Sequence, residues 1–245
     1  MAELFTTKRG PTEAARVVLI HGTMDRSTSF ARVQRALDDV STLAYDRRGY
    51  ARSAACGVAQ TVEDHVDDLL GLLAGEPAVL AGHSYGGVVA LAAAARAPES
   101  VQGVLAYEPP LAWLPEWPAG SAGEAALDAG GSPEDAAEAF MRRLIGDAAW
   151  ERLPERTREE RRDEGQSMLS DIRSIRPPHF PFDPRDVSVP VVLAHGTETT
   201  DRHRRSVELL GRLIPQAQTH SVEGAGHGGH RSHPVAFAAL VRLLL

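Results

Sequence analysis

Short runs of aliphatic residues alternate along the chain with longer stretches in which apolar side chains recur every three or four positions. The short runs are typical of strands buried on both faces, whereas the longer stretches predict amphipathic helices. The predicted strands are 16–20, 41–45, 78–81, 101–107, 187–194 and 218–222. The predicted helices are 28–40, 62–73, 88–95, 202–213 and one that begins at Pro234. This alternation predicts an α/β fold with a mostly parallel twisted sheet and helices on both faces.

The interval 111–186 interrupts the alternation of strands and helices. It contains no convincing strand run, and its connections are rich in Pro, Gly and Ala. Two or three helices are predicted within it, at 133–145, 148–153 and 157–172.

The composition is that of an ordinary globular protein, with 43% hydrophobic and 24% charged residues among 245. A net charge of −7 argues against a nucleic-acid-binding protein, and Cys56 alone cannot form an intrachain disulfide. The chain shows neither an export signal nor an apolar run long enough to span a bilayer. We therefore expect a cytoplasmic protein, a monomer or homodimer, that acts on a small molecule without a membrane or nucleic-acid partner.

The segment Gly82-His83-Ser84-Tyr85-Gly86-Gly87 joins a predicted strand directly to a predicted helix. A serine at such a sharp turn is pushed out of the sheet surface and faces the positive N-terminus of the following helix. Gly82 and Gly86 suit places where strand and helix approach too closely for a Cβ atom. These features predict that Ser84 is a nucleophile.

A serine hydroxyl needs a base that accepts its proton, and His227 suits this role. It lies in the loop 224–227, which follows the last predicted strand. His230 and His233 follow closely, but no Cys, Asp or Glu at ligand spacing accompanies them, so we interpret them as capping or surface residues. The sequence therefore predicts no metal site and no cofactor.

The oxyanion formed by attack on a carbonyl needs two fixed N–H donors. One is predicted to be the backbone N–H of Tyr85, directly after the nucleophile. The other is predicted in the loop after the first strand, where Thr23 is preferred and Met24 is the alternative. His21, in the same loop, is interpreted as a structural residue whose ring bonds nearby backbone.

These motifs resemble the α/β-hydrolase fold superfamily. The resemblance rests on the serine turn, on His21-Gly22, and on the segment 46–53, which is similar to the D-x-R-G-x-G-x-S turn of that family with Ala51 in place of a glycine. It covers 17–110 and 187 to the end of the chain. It implies a hydrolase core made of 1–110 and 187–245, a helical cap made of 111–186, and a structural role for Asp46.

The acid of the catalytic triad departs from the pattern of that family. The position that usually carries it, three residues after Gly196, holds the uncharged Thr199. We favour Glu108, which ends a predicted strand, and Glu198 is the alternative acid. Asp201, or a Ser–His dyad without an acid, remains open. The correct carboxylate is the one within hydrogen-bond reach of His227.

The resemblance implies a serine hydrolase that cleaves a carboxylic ester, thioester or lactone through an acyl-enzyme. An acyltransferase, a C–C hydrolase or a cofactor-free haloperoxidase-like enzyme could use the same residues. A non-catalytic ligand-binding protein with this fold is a further alternative. The large apolar residues of 111–186 either line an acyl pocket for short acyl groups or pack the cap onto the sheet: Trp113, Trp117, Phe140, Met141, Trp150 and Met168.

Overall fold

A seven-stranded sheet forms the centre of the protein. The computed structural model describes residues 3–13 and 16–245. Within them the strands are β1 Thr6–Arg9, β2 Arg16–Ile20, β3 Ser41–Tyr45, β4 Ala78–His83, β5 Val101–Tyr107, β6 Val191–Gly196 and β7 Ala217–Val222. Their order is β1-β3-β2-β4-β5-β6-β7, and all neighbours are parallel except β1, which runs antiparallel to β3. The predicted fold class is confirmed, although the polar edge strand β1 was not predicted.

The helices of the described residues connect the strands. They are α1 Ala31–Ala36, α2 Val62–Leu73, α3 Tyr85–Arg96, α4 Ala122–Asp128, α5 Pro133–Ile145, α6 Asp147–Glu151, α7 Glu155–Asp163, α8 Gly165–Ser174, α9 Asp201–Leu213, α10 Gly229–Ser232 and α11 Pro234–Arg242. The start of α2 shows why the sequence predicted it: the Thr61 side chain accepts a hydrogen bond from the Asp64 N–H, and the Asp64 side chain bonds the Thr61 N–H in return.

Two helix predictions were wrong. The predicted helix 28–40 is only α1, preceded by a turn of 3₁₀ helix, Ser27–Phe30. The predicted helix 157–172 is divided into α7 and α8 at Glu164. The Glu164 side chain is buried and accepts hydrogen bonds from Arg26 at 3.1 Å and from the backbone N–H of Ala51 at 2.9 Å. These tertiary contacts override the continuous helical pattern of the sequence.

The core has a layer on each face of the sheet. One layer contains the apolar faces of α2, α3 and α9, and the other contains those of α1 and α11. A third apolar cluster joins α5, α6 and α8 to Met24 and Tyr50, which lie in loops after β2 and β3. The helices of 111–186 therefore cover loops at the carboxyl ends of the strands. That these residues form a separate cap on a core of 1–110 and 187–245 stays a prediction.

None of the described helices is long and apolar enough to cross a membrane.

Candidate active site

The backbone around Ser84 is strained and tightly packed. Ser84 lies between β4 and α3 with φ 53° and ψ −124°, a conformation that costs free energy for a residue with a side chain. A Cβ atom at Gly82 would lie 2.2 Å from the carbonyl oxygen of Gly86, and one at Gly86 would lie 2.1 Å from that of Ile20. The Ser84 N–H donates to the Tyr107 carbonyl at 2.8 Å. The sharp turn is therefore fixed by close contact between strand and helix.

His227 and Glu108 are joined by a hydrogen bond, although they are far apart in the sequence. The His227 Nδ1–H donates to Glu108 Oε2 at 2.7 Å. Glu108 follows β5 directly and has φ 50°, so its backbone is strained like that of Ser84. Because Nδ1 carries the proton, Nε2 of His227 is left as the proton acceptor.

The Glu108 carboxylate is fully buried and has further donors around it. The Gly196 N–H donates to Oε1 at 2.9 Å, and the Thr199 hydroxyl donates to Oε2 at 2.8 Å. Burial alone would raise the pKa of Glu108, but the hydrogen bond and the charge of His227 outweigh it, so that the pKa lies below its usual value. Thr199, three residues after Gly196, therefore donates to the candidate acid Glu108, which follows the neighbouring strand.

The alternative carboxylates do not bond His227. The Glu198 side chain is exposed, and only its backbone N–H is engaged, by the Ala225 carbonyl. Asp201 is also exposed and pairs with Arg204 at 2.9 Å.

The candidate oxyanion donors lie around the same cavity as Ser84. This cavity of about 120 Å³ is lined by Thr23, Ser84, Tyr85 and His227, among others. Tyr85 is the first residue of α3, so its backbone N–H has no partner within the helix. A Cβ atom at Gly22 would lie 2.9 Å from the Ser84 Cβ, which shows how closely the loop after β2 approaches the serine.

Asp171 on α8 anchors that loop from the other side, and the sequence analysis missed it. Its carboxylate accepts hydrogen bonds from the Thr23 hydroxyl at 2.9 Å, the Tyr50 hydroxyl at 2.6 Å and both terminal nitrogens of Arg47, the closer at 2.6 Å. Asp171 and Arg47 are both buried. Burial alone would raise the pKa of Asp171, but Arg47 and the neighbouring His65 hold it far below its usual value. A single polar residue within a predicted helix gave no sequence signal of this role.

The Arg47 guanidinium also contacts the residue that follows the serine. It lies 4.6 Å from the centroid of the Tyr85 ring, and the Tyr85 hydroxyl is 2.7 Å from that of Ser174. The two candidate oxyanion residues, Thr23 and Tyr85, are thus connected to one buried ion pair.

Two further histidines contact His227. The His203 ring stacks on it, with centroids 4.2 Å apart and planes 13° apart. Burial, and then the proximity of His227, lowers the pKa of His203 to about 3, so this ring is neutral. His83 donates from Nε2 to the His227 carbonyl at 2.8 Å and so holds the loop. His203 lies in the first turn of α9, and nothing in the helical pattern of 202–213 marks it as part of the site.

Within the part of the chain that the structure describes, two groups of residues have the chemistry of metal ligands. In one, ligand atoms of Asp25, His83 and His230 lie within 4.8 Å of one another, and in the other those of Glu108, His203 and His227 do. His230 is buried and donates to Asp25 at 3.1 Å, so its interpretation as a surface residue was wrong. In both groups an imidazole already donates to the carboxylate. The absence of a metal role stays a prediction.

His21 and Asp46, which the sequence predicts to be structural, both form hydrogen bonds with backbone groups. The His21 Nδ1–H donates to the Gly22 carbonyl at 2.8 Å, and its Nε2 accepts from the Arg47 N–H at 2.9 Å. Asp46 is buried and accepts from the backbone N–H of Ser27 at 2.8 Å.

Comparison with known proteins identifies the family. Residues 17–240 match the sequence profile of the alpha/beta hydrolase family. The chain therefore belongs to this family of hydrolases. It is 27% identical over 231 residues to 2-(acetamidomethylene)succinate hydrolase of Mesorhizobium japonicum, a match that covers 86% of this chain and 81% of that protein.

Two other similarities differ in extent. Lipase LipV of Mycobacterium tuberculosis is 32% identical over 113 residues, which cover 45% of this chain and only 43% of the lipase. The crystal structure of the enol-lactonase from Burkholderia xenovorans LB400 has a TM-score of 0.75 and 23% identity, and the match covers 98% of this chain and 95% of that chain. The structural likeness shows a shared fold.

Proposed function

We propose that the protein is a serine hydrolase that cleaves a carboxylic ester, thioester or lactone through an acyl-enzyme. The observation that carries the proposal is the hydrogen bond from His227 to the buried Glu108, with Ser84 and His227 lining one cavity. Acyl transfer of this kind uses a nucleophile, a base and an acid that orients the base, and these three residues supply the groups for those roles.

In the first step Ser84 Oγ attacks the substrate carbonyl carbon, and His227 Nε2 takes the hydroxyl proton. Glu108 keeps Nδ1 protonated and stabilises the imidazolium. The backbone N–H groups of Tyr85 and Thr23 hold the oxyanion, and loss of one such donor in comparable enzymes costs about 3–4 kcal/mol. His227 then returns the proton to the leaving alcohol or thiol as its bond to the carbonyl carbon breaks.

Water completes the cycle. His227 takes a proton from water, the hydroxide adds to the acyl carbon, and Ser84 leaves with the returned proton as the carboxylic acid is released. No metal or organic cofactor enters any of these steps.

The residues that line the cavity support two parts of the proposal. One is a substrate with a short acyl group, and the other is a role of 111–186 as a cap. Trp117 and Phe140 line the cavity, together with Ile172 and Ile175. Trp150 and Met168 are instead buried in the apolar cluster of α5, α6 and α8, and Trp113 packs with Phe182, 5.3 Å between ring centroids. Some of the large apolar residues predicted for the cap therefore line the cavity, and others pack against the rest of the protein.

A fluorophosphonate probe tests the nucleophile directly. We expect stoichiometric labelling of the wild type and of the control Ser188→Ala, an exposed serine, and no labelling of Ser84→Ala. Turnover of 4-nitrophenyl esters should fall steeply as the acyl chain outgrows the cavity. Labelling of Ser84→Ala, or no labelling and no turnover by the wild type, would refute the proposal in favour of a binding protein. Faster product release in added alcohol, with ester formation, would identify an acyltransferase.

A further inference from the structure

One arginine at the cavity lacks an acidic partner. Arg202, in the first turn of α9, lines the cavity that contains Ser84. Its Nε donates to the Pro118 carbonyl at 3.2 Å and its Nη2 to the Ala119 carbonyl at 2.7 Å. It forms no salt bridge with any carboxylate of residues 3–13 and 16–245, and both of its hydrogen-bond acceptors are neutral. The guanidinium is thus held in place, but its charge is not balanced.

The charged residues near Arg202 do not neutralise its positive charge. Arg176 also lines the cavity, but Glu124 pairs with it at 3.2 Å. Burial lowers the pKa of Arg202, and the positive charges of Arg143 and Arg176 act in the same direction against the single carboxylate of Glu124. No aspartate or glutamate is among the residues that line this cavity. The cavity therefore carries an excess positive charge in a protein whose net charge is −7.

The apolar lining of the cavity strengthens the electrostatic effect of the Arg202 charge. Apolar side chains such as Trp117, Phe140 and Ile175 surround it, and the Arg202 guanidinium lies 5.7 Å from the centroid of a Trp117 ring. Apolar side chains form much of the cavity wall, and a charge beside them acts more strongly than it would in bulk water. The planar fork of a guanidinium matches the two oxygens of a carboxylate.

We propose that the natural substrate carries a carboxylate in addition to the scissile carbonyl group, and that Arg202 binds this carboxylate. This inference rests on the proposed function, because it assigns the substrate class of the same site. A carboxylate fits better than a phosphate monoester, since a single unbalanced cation faces the cavity.

Matched pairs of esters test the proposal. The mono(4-nitrophenyl) esters of glutaric, adipic and pimelic acid each carry a free carboxylate, and their methyl diesters have the same chain without the charge. We expect the wild type to prefer the acid in at least one pair. Arg202→Gln should lower kcat/KM for that acid about 10- to 100-fold, the value of a charge-assisted contact, and leave the diester within about threefold. The control Arg205→Gln, an exposed residue on α9, removes the same charge and should change neither.

A second measurement does not depend on the variant folding. Glutarate and adipate should inhibit diester hydrolysis by the wild type competitively, whereas their dimethyl esters and inorganic phosphate should be much weaker. Equal hydrolysis of acids and diesters by the wild type would overturn the proposal, as would an equal loss on both in a folded Arg202→Gln protein. Preferential inhibition by phosphate would overturn the choice of carboxylate. Failure of the proposed function is distinguishable, because neither ester would then be hydrolysed and Ser84 would not be labelled.

Discussion

Replacing Glu108 by glutamine tests the assignment of the acid, because the environment of the carboxylate leaves glutamine no satisfactory orientation. Glu108 accepts from the Gly196 N–H on one oxygen and from Thr199 and His227 on the other. If the glutamine oxygen faces His227, the amide NH₂ points at the Gly196 N–H, and two donors meet in a buried site. If the oxygen faces Gly196, the NH₂ donates to His227 Nδ1, and the proton of the imidazole moves to Nε2.

The first orientation leaves donors unpaired and costs about 1–3 kcal/mol of stability. The second prevents Nε2 from taking the serine proton, and both remove the negative charge that stabilises the imidazolium. We therefore expect kcat/KM of Glu108→Gln to fall about 10²- to 10⁴-fold, or about 3–5.5 kcal/mol of transition-state stabilisation.

The assay is hydrolysis of a short 4-nitrophenyl ester between pH 5 and 9, with thermal unfolding to confirm that each variant is folded. The exposed Glu198→Gln is the matched control and should retain full activity. Adding Thr199→Asp to Glu108→Gln supplies a carboxylate on the residue whose hydroxyl lies 2.8 Å from Glu108, and should restore activity at least about tenfold. The reasoning fails if Glu108→Gln stays within about threefold of the wild type, or if Glu198→Gln is the variant that loses activity.

Three further predictions concern stability. Asp171→Asn leaves Arg47 buried without a counter-charge, so the free energy of unfolding in urea should fall by about 3–5 kcal/mol, and kcat should fall as well because the Thr23 loop loosens. His203 has a folded-state pKa of about 3, well below its ordinary value, so its contribution to stability is present above about pH 6.5 and is lost as the pH falls towards 3. His203→Gln should therefore reduce the slope of unfolding free energy against pH by about 1.4 kcal/mol per pH unit between pH 4 and 6. Ala51 has φ 47°, so Ala51→Gly should raise the free energy of unfolding by about 0.5–1 kcal/mol.

Each of these predictions has a matched control. The exposed variant Asp163→Asn should leave the free energy of unfolding unchanged, and the exposed His179→Gln is the matched histidine variant for the pH series. Ala54→Gly, in the same turn but without a positive φ, should destabilise the protein. A wild-type urea midpoint for Asp171→Asn, an unchanged pH slope for His203→Gln, or a destabilised Ala51→Gly would contradict the corresponding explanation.

The sequence predicted what local patterns determine. Apolar runs identified the inner strands, and glycines around Ser84 identified the sharp turn because no other residue fits there. The sequence favoured Glu108 because it ends a predicted strand. It lies beside His227 because the carboxyl ends of neighbouring parallel strands lie at one edge of the sheet.

The sequence could not predict contacts between distant polar residues. His203 and Asp171 occupy ordinary positions on amphipathic helices, and their importance arises only when those helices dock against loops more than 20 and 120 residues away, respectively. The break at Glu164 has the same origin, because its burial depends on partners in the loops after β2 and β3. The edge strand β1 was missed because its four residues are polar and only their pairing with β3 defines them.

The ion pair between Arg47 and Asp171 limits which segments can replace 111–186 in this protein. Asp171 lies in the interval 111–186, whereas Arg47 lies in the loop after β3. A chimera that receives 111–186 from another hydrolase loses two things together: the cavity-lining residues of this interval and Asp171, the partner of Arg47. We therefore expect such a chimera to fold stably only when the donor segment supplies a carboxylate at the position of Asp171.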